Sequence, residues 1–220
     1  MSDLADKTKT ILCYGDSNTW GAIPGNRWQR LAHDKRWCTC LQRLLGKEYL
    51  VIEEGCCGRT IALDDPIAEG RNGIESVVAV FESHRPISLV VLFLGTNDLK
   101  LRYQMSLMEI SRNMARLIRK IRSYPCGKDE MNVPHILIVS PTVIREGVER
   151  VWEHMYDAKS VQLSKQLGQI FKEVAEIYGC AFIDAAAVTT ASNRDMLHLE
   201  ESGHQAVANA VYCAIMDLNL

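Results

Sequence analysis

The sequence predicts an α/β fold, a three-layer α/β/α sandwich around a five-stranded parallel sheet, built as one domain across residues 1–220. Three observations lead to it. Five short apolar runs recur along the chain, helix-period stretches separate them, and the first three runs each stop at a compact polar cluster. Strands alternating with helical patterns imply βαβ units with right-handed crossovers. A chain of 220 residues is long enough for one well-buried domain of this kind.

The first strand is Ile11-Leu12-Cys13-Tyr14, which ends in Gly15-Asp16-Ser17. Trp37, Leu41, Leu44 and Leu45 then line one face of a helix closed by Gly46 at a C-cap position. Leu50-Val51-Ile52 forms the second strand and ends in Glu53-Glu54-Gly55-Cys56-Cys57-Gly58. The next helical face carries Ile74, Val77, Val78 and Phe81, spaced i, i+3, i+4, i+7. The third strand, Leu89 to Leu94, ends in Gly95-Thr96-Asn97-Asp98. Ile110, Met114, Leu117, Ile118 and Ile121 give another helical stripe, followed by a strand from His135 to Ser140. Leu163, Leu167, Ile170, Phe171, Val174 and Ile177 give the next stripe, followed by a strand from Ala181 to Asp184. A last helix starts near Ser202 or Gly203 and buries Val207, Val211 and Ile215. All these stripes are read as core. Segments 20–34 and 141–158 are too long for simple turns, and both leave the sheet at its carboxyl edge, where walls of a pocket belong.

Composition narrows the classes. A net charge of −2 argues against a nucleic-acid or anionic-membrane partner. No stretch is long and apolar enough to span a bilayer, and Met1 to Lys7 has no apolar h-region of a signal peptide. The eight cysteines include no pair of C-x-x-C elements, so no zinc site or other metal centre is expected. Without a secretory signal they read as reduced, small apolar residues, and the expected location is cytoplasmic.

Parallel sheets carry their chemistry outside the carboxyl ends of their strands, so Ser17, Gly58 and Asn97 are expected to meet on one edge. A serine hydroxyl needs a base, and Asp195-Met196-Leu197-His198 supplies an imidazole with a carboxylate three residues before it. A tetrahedral oxyanion needs donors, which the Ser17 N–H, the Gly58 N–H and the Asn97 amide would provide. Singly, each residue has an ordinary explanation: Asn97 and Asp98 are common turn residues, Asp195 suits a helix cap, and five other histidines accompany His198. Their joint appearance at the ends of three consecutive strands favours a serine esterase. No cofactor is required.

These residues resemble the SGNH (GDSL-type) hydrolase superfamily. Gly15-Asp16-Ser17-Asn18-Thr19, Gly55-Cys56-Cys57-Gly58-Arg59-Thr60, Gly95-Thr96-Asn97-Asp98 and Asp195-Met196-Leu197-His198-Leu199 match its four motif blocks, with Gly58 rather than Gly55 as the oxyanion glycine. Trp20-Gly21, Arg36-Trp37, Val51 to Gly55 and Asp64-Asp65-Pro66 are similar to its bacterial arylesterase and acyltransferase branch. The resemblance implies a flavodoxin-like sandwich, metal-free hydrolysis of short-chain (acetyl) esters of aryl, alkyl or sugar alcohols, acyl transfer in some members, and a homo-oligomer. Asn18 departs from the Leu in the family's name, and Glu53 stands where many members have Asn.

Asp16, Trp20 and Trp152 are the candidate substrate contacts; core packing is an equal reading of Trp20, and Trp152, Met155 and Tyr156 suit either substrate or a neighbouring subunit. Arg59 is a candidate either for an acidic substrate or for a structural ion pair. A non-catalytic flavodoxin-like binding or scaffold protein for acyl or glycan ligands is the alternative. The first βα loop lacks both the G-x-G-x-x-G and G-x-x-x-x-G-K-[ST] phosphate motifs. A cysteine hydrolase using Cys56 or Cys57 is a further rival.

Overall fold

A computed structural model describes residues 8–127, 132–218 and 220. The segment Met1 to Lys7, read above as lacking a leader, lies outside the described residues. The elements run β1 (Lys9–Gly15), α1 (Ser17–Trp20), β2 (Ala22–Ile23), β3 (Asn26–Arg30), α2 (Trp37–Leu45), β4 (Tyr49–Gly55), α3 (Gly73–His84), β5 (Leu89–Phe93), α4 (Leu107–Arg122), β6 (His135–Ser140), α5 (Ala158–Ile177), β7 (Ala181–Asp184) and α6 (Glu201–Leu218).

Five strands form one parallel sheet in the order β4-β1-β5-β6-β7, while β2 and β3 form a separate antiparallel pair. This is the flavodoxin-like order, and its switch point lies between β1 and β5. From β1 the chain first crosses outward to β4 and then returns past β1 to β5. A crevice therefore opens where the two connections diverge.

Alternation along the strands divides the core in two. Leu12, Tyr14, Val90, Leu92 and Ile138 pack with Val77 and Phe81 of α3, Met114 and Leu117 of α4, and Leu167 and Phe171 of α5. Ile11, Cys13, Val91, Phe93 and Val139 pack on the opposite face with Trp37 and Leu41 of α2 and Val207 and Val211 of α6. Covered on both faces, β1 and β5 are buried almost throughout, which explains their unbroken apolar runs.

Two residues assigned to core stripes lie outside it: Leu44 is 40% exposed and Ile177 is 77% exposed. Both sit in the last turn of a helix, where the chain is leaving the sheet. The segment 20–34 is also more ordered than a plain loop, since it contains the β2–β3 hairpin.

Two helices, α4 and α5, start with reciprocal capping boxes. In α4 the Ser106 hydroxyl accepts from Glu109 N–H and the Glu109 carboxylate accepts from Ser106 N–H, a reciprocal capping box. In α5 Asp157 and Ser160 do the same, and the Ser160 hydroxyl also donates to Leu99 O at 2.9 Å. That bond fastens the start of α5 to the loop after β5.

Candidate active site

Asp16 caps the short helix α1, its Oδ1 accepting from Asn18 N–H at 2.9 Å. This places Ser17 at the first helical position, just after the end of β1. As a first-turn residue its N–H has no intrahelical acceptor. At the end of neighbouring β4, Gly55 makes the close approach possible: a Cβ there would lie 2.1 Å from Trp20 N. Gly55 is thus a packing glycine. Gly58, at φ 82°, lies three residues on and faces the cleft with Ser17, Asn97 and His198.

Ser17 Oγ lies 2.9 Å from His198 Nε2, and His198 Nδ1 lies 2.6 Å from Asp195 Oδ2. The 195–198 turn is held by its own carboxylate, since Asp195 Oδ1 accepts from Leu197 N–H and His198 N–H at 3.1 and 2.9 Å. Met196 adopts φ 64° to complete that turn. Gly25 N–H, from the loop joining β2 to β3, donates to Asp195 Oδ2 at 3.0 Å. Burial works against the Asp195 carboxylate, but the hydrogen bond and charge of His198, with the N–H groups of His198 and Gly25, outweigh it and lower its pKa to about 2. Asp195 is therefore ionised at neutral pH, which suits a partner for an imidazolium.

Asn97 is oriented from three sides. Its Oδ1 accepts from Tyr156 OH at 3.4 Å, and its Nδ2 donates to Arg59 O at 3.1 Å and to Asp16 Oδ2 at 3.3 Å. Burial raises the Asp16 pKa to about 6 against the pull of Asn18 N–H and nearby cations, and burial raises Asp98 to about 7.

The cleft has a volume of about 370 Å³ and brings together Ser17, Gly58, Asn97, Trp152 and His198. Trp152 presents its ring edge-on to His198, centroids 5.6 Å apart, and its Nε1 donates to Asp195 O at 2.9 Å. Two expected substrate contacts are elsewhere. Asp16 is 2% exposed and lies beneath the cleft, because capping α1 turns its carboxylate inward. Trp20 is absent from the cleft wall and packs under the Arg30 guanidinium, 5.1 Å from the ring centroid. Arg59 is also turned inward: it donates to Gly15 O at 2.9 Å and stacks 4.0 Å from the Tyr14 ring centroid.

The sequence reading missed several supporting groups. Gly25, Arg71, Lys100 and Arg102 carry no motif, although Lys100 and Arg102 lie within four residues of the third polar cluster, where sheet-edge residues belong. Glu53 accepts from Arg30 and from Arg36, which lies 3.2 Å away, and so anchors the hairpin to β4. Among the described residues, no group of three or more His, Cys, Asp or Glu could hold a metal ion, and no helix is long and apolar enough to cross a membrane. All eight cysteines are free thiols.

A serine hydroxyl bonded to an imidazole, with a carboxylate behind it and amide donors beside it, is equipped for acyl transfer. The GDSL-like lipase/acylhydrolase family model matches residues 13–206. The chain belongs to that family. Its fold is that of the SGNH hydrolases, and it is a carboxylic ester hydrolase. A carbohydrate acetylesterase family member from Sinorhizobium meliloti is 34% identical, with a TM-score of 0.89 over 97% of this hydrolase and 100% of that chain. A second carbohydrate acetylesterase from Sinorhizobium meliloti is 28% identical, with a TM-score of 0.90 over 96% of this chain and 100% of that one. The inhibitor-bound aryl esterase of M. smegmatis is also 28% identical, with a TM-score of 0.89 and coverage of 96% and 100%. No curated protein sequence matches the hydrolase.

Proposed function

We propose that this hydrolase cleaves short-chain acyl esters, acetyl esters foremost, of aryl, alkyl or sugar alcohols through a serine acyl-enzyme. The observation that carries this reading is the hydrogen-bonded chain Ser17–His198–Asp195, with links of 2.9 and 2.6 Å, on the wall of the cleft. Ser17 Oγ attacks the ester carbonyl while His198 Nε2 takes its proton. Asp195 holds the ring and stabilises the imidazolium. The Ser17 and Gly58 N–H groups and the Asn97 amide receive the oxyanion. His198 then returns the proton to the leaving alcohol, and water, activated by the same imidazole, releases the acid.

A cleft of about 370 Å³ edged by Trp152 and Met155 supports small acyl groups. An alcohol bound in place of water would accept the acyl group, so transfer belongs to the same scheme. The free thiols support a reducing, cytoplasmic setting. Ile67, 77% exposed and at the cleft, supports a homo-oligomer that covers it.

The deciding experiment is hydrolysis of p-nitrophenyl acetate, butyrate and octanoate by wild type and Ser17→Ala in parallel. Activity that falls with chain length and disappears in the variant is expected. Equal activity in both proteins would overturn the assignment of Ser17, and no activity in folded wild type would favour a binding role.

A further inference from the structure

The wall of the cleft carries more cationic side chains than carboxylates. Arg71, Lys100 and Arg102 line it together with a single carboxylate, Asp65. Asp65 is already engaged: its Oδ1 lies 2.9 Å from Arg102 Nη1 and its Oδ2 lies 3.8 Å from Lys100 Nζ. Beneath them Asp16 faces Lys100 and Arg59, and Asp98 faces Lys100, so these carboxyls lie against cations other than Arg71.

Arg71 is the cation of the cleft wall that none of them pairs. Among the described residues it has no carboxylate within ion-pair distance, and its Nη1 rests 2.9 Å from the Cys56 sulfur, a weak acceptor. Its location is equally informative. A Cβ built on Gly58 would lie 3.6 Å from Lys100 Nζ and 3.7 Å from Arg71 Nε. Two cationic side chains therefore converge on Gly58, the glycine proposed above to receive the oxyanion. Lys100 is only 5% exposed, so its charge meets the cleft with little water to screen it.

Placing surplus charge in a partly dry cleft is costly unless something negative occupies it. An arginine with its fork unclaimed by any carboxylate is suited to bidentate recognition of a carboxylate or phosphate. We infer that Arg71, backed by Lys100, forms an anion subsite beside Gly58, and that the preferred substrates are esters bearing a negatively charged group. This inference rests on the esterase reading for its catalytic consequence, while the subsite itself is a binding claim.

Paired substrates test it. For an anion on the alcohol half, para-acetoxybenzoate is compared with neutral para-acetoxybenzamide. For an anion on the acyl half, p-nitrophenyl hydrogen succinate is compared with its methyl ester. In wild type, kcat/KM is expected to favour the charged member of at least one pair by about tenfold, the scale of one charge-assisted hydrogen bond. Arg71→Gln is expected to bring that ratio to about one, Arg71→Lys to keep part of it, and added salt to shrink it. A parallel arm measures equilibrium binding of the same esters to Ser17→Ala and to Ser17→Ala/Arg71→Gln. Tighter binding of a charged ester that depends on Arg71 supports the subsite even where turnover is absent, in which case only the esterase reading fails. Equal binding of charged and neutral esters, or a preference that survives Arg71→Gln, overturns the subsite.

Discussion

Asn18 Oδ1 accepts a hydrogen bond from the backbone N–H of Leu199 at 3.0 Å. The residue after the serine is thereby tied to the residue after the histidine. Asn18 is 2% exposed and Leu199 is fully buried, so neither group has water as a substitute partner. The departure from Leu at this position has a physical role, because it fixes the spacing between Ser17 and His198 through the backbone.

Asn18→Leu should therefore leave the Leu199 N–H unsatisfied and cost about 1–3 kcal/mol of stability. Slack between the serine turn and the histidine turn should lower kcat more than it changes KM. Urea unfolding and steady-state kinetics on one ester series measure both. A loss of stability with unchanged kcat would make Asn18 a purely structural residue.

On the proposed mechanism, Asn97→Ala removes one oxyanion donor and leaves the Ser17–His198–Asp195 chain intact. On the scale of other oxyanion-hole deletions, kcat should fall about 100- to 1000-fold, close to 3 kcal/mol. KM should change little, because the interaction strengthens only in the transition state. A fall in kcat/KM carried entirely by KM would assign Asn97 to ground-state binding instead.

His204 sets a stability limit on the acid side. Its Nδ1 accepts from Trp37 N–H at 3.2 Å, and its Nε2 is buried without a partner among the described residues. Burial first, then the charges of His198 and Arg36, lower its pKa from 6.5 to about 4. The unfolded chain binds this proton more tightly, so the stability gained from the neutral ring is complete above pH 6.5. It is lost as pH falls from 6.5 towards 4, by up to about 3 kcal/mol. Asp16 and Asp98, raised by burial to about 6 and about 7, oppose that trend, since their folded forms take up protons earlier than the unfolded chain. The comparison of wild type with His204→Gln removes the shared contributions. Its stability difference should shift against wild type between pH 6.5 and pH 4, and parallel curves would show that His204 is not the titrating group.

Much of this arrangement is legible in the residues alone. The fourth and fifth sheet strands, from His135 and Ala181, fall where the apolar runs put them, because a two-sided parallel sheet demands continuous apolar sequence. Ser17, Gly58 and Asn97 converge because strand ends converge. Side-chain direction is harder to read. Asp16, Ser17 and Asn18 are consecutive and polar, yet one carboxylate turns inward as a cap, the hydroxyl faces the cleft and the amide reaches across to Leu199. Nothing in composition separates those fates. Arg59 and Arg71 pose the same problem: both follow β4, and it is the Gly15 carbonyl and the Tyr14 ring, both on β1, that hold Arg59 inward while Arg71 lines the cleft. The β2–β3 hairpin escapes notice because Ala22–Ile23 is too short to show alternation, although Gly25 within it bonds Asp195.

Ser17 and His198 are 181 positions apart in the chain, yet their side chains share a hydrogen bond. Closing so long a loop is entropically unfavourable until the intervening strands have docked, so this contact forms late in folding. The first strand and the approach to the last helix must both be in place before the hydroxyl meets its base. Activity consequently reports completion of the whole sheet. During refolding it should appear after helical signal has recovered, and a chain stalled before its C-terminal part has docked should carry native-like secondary structure with no turnover.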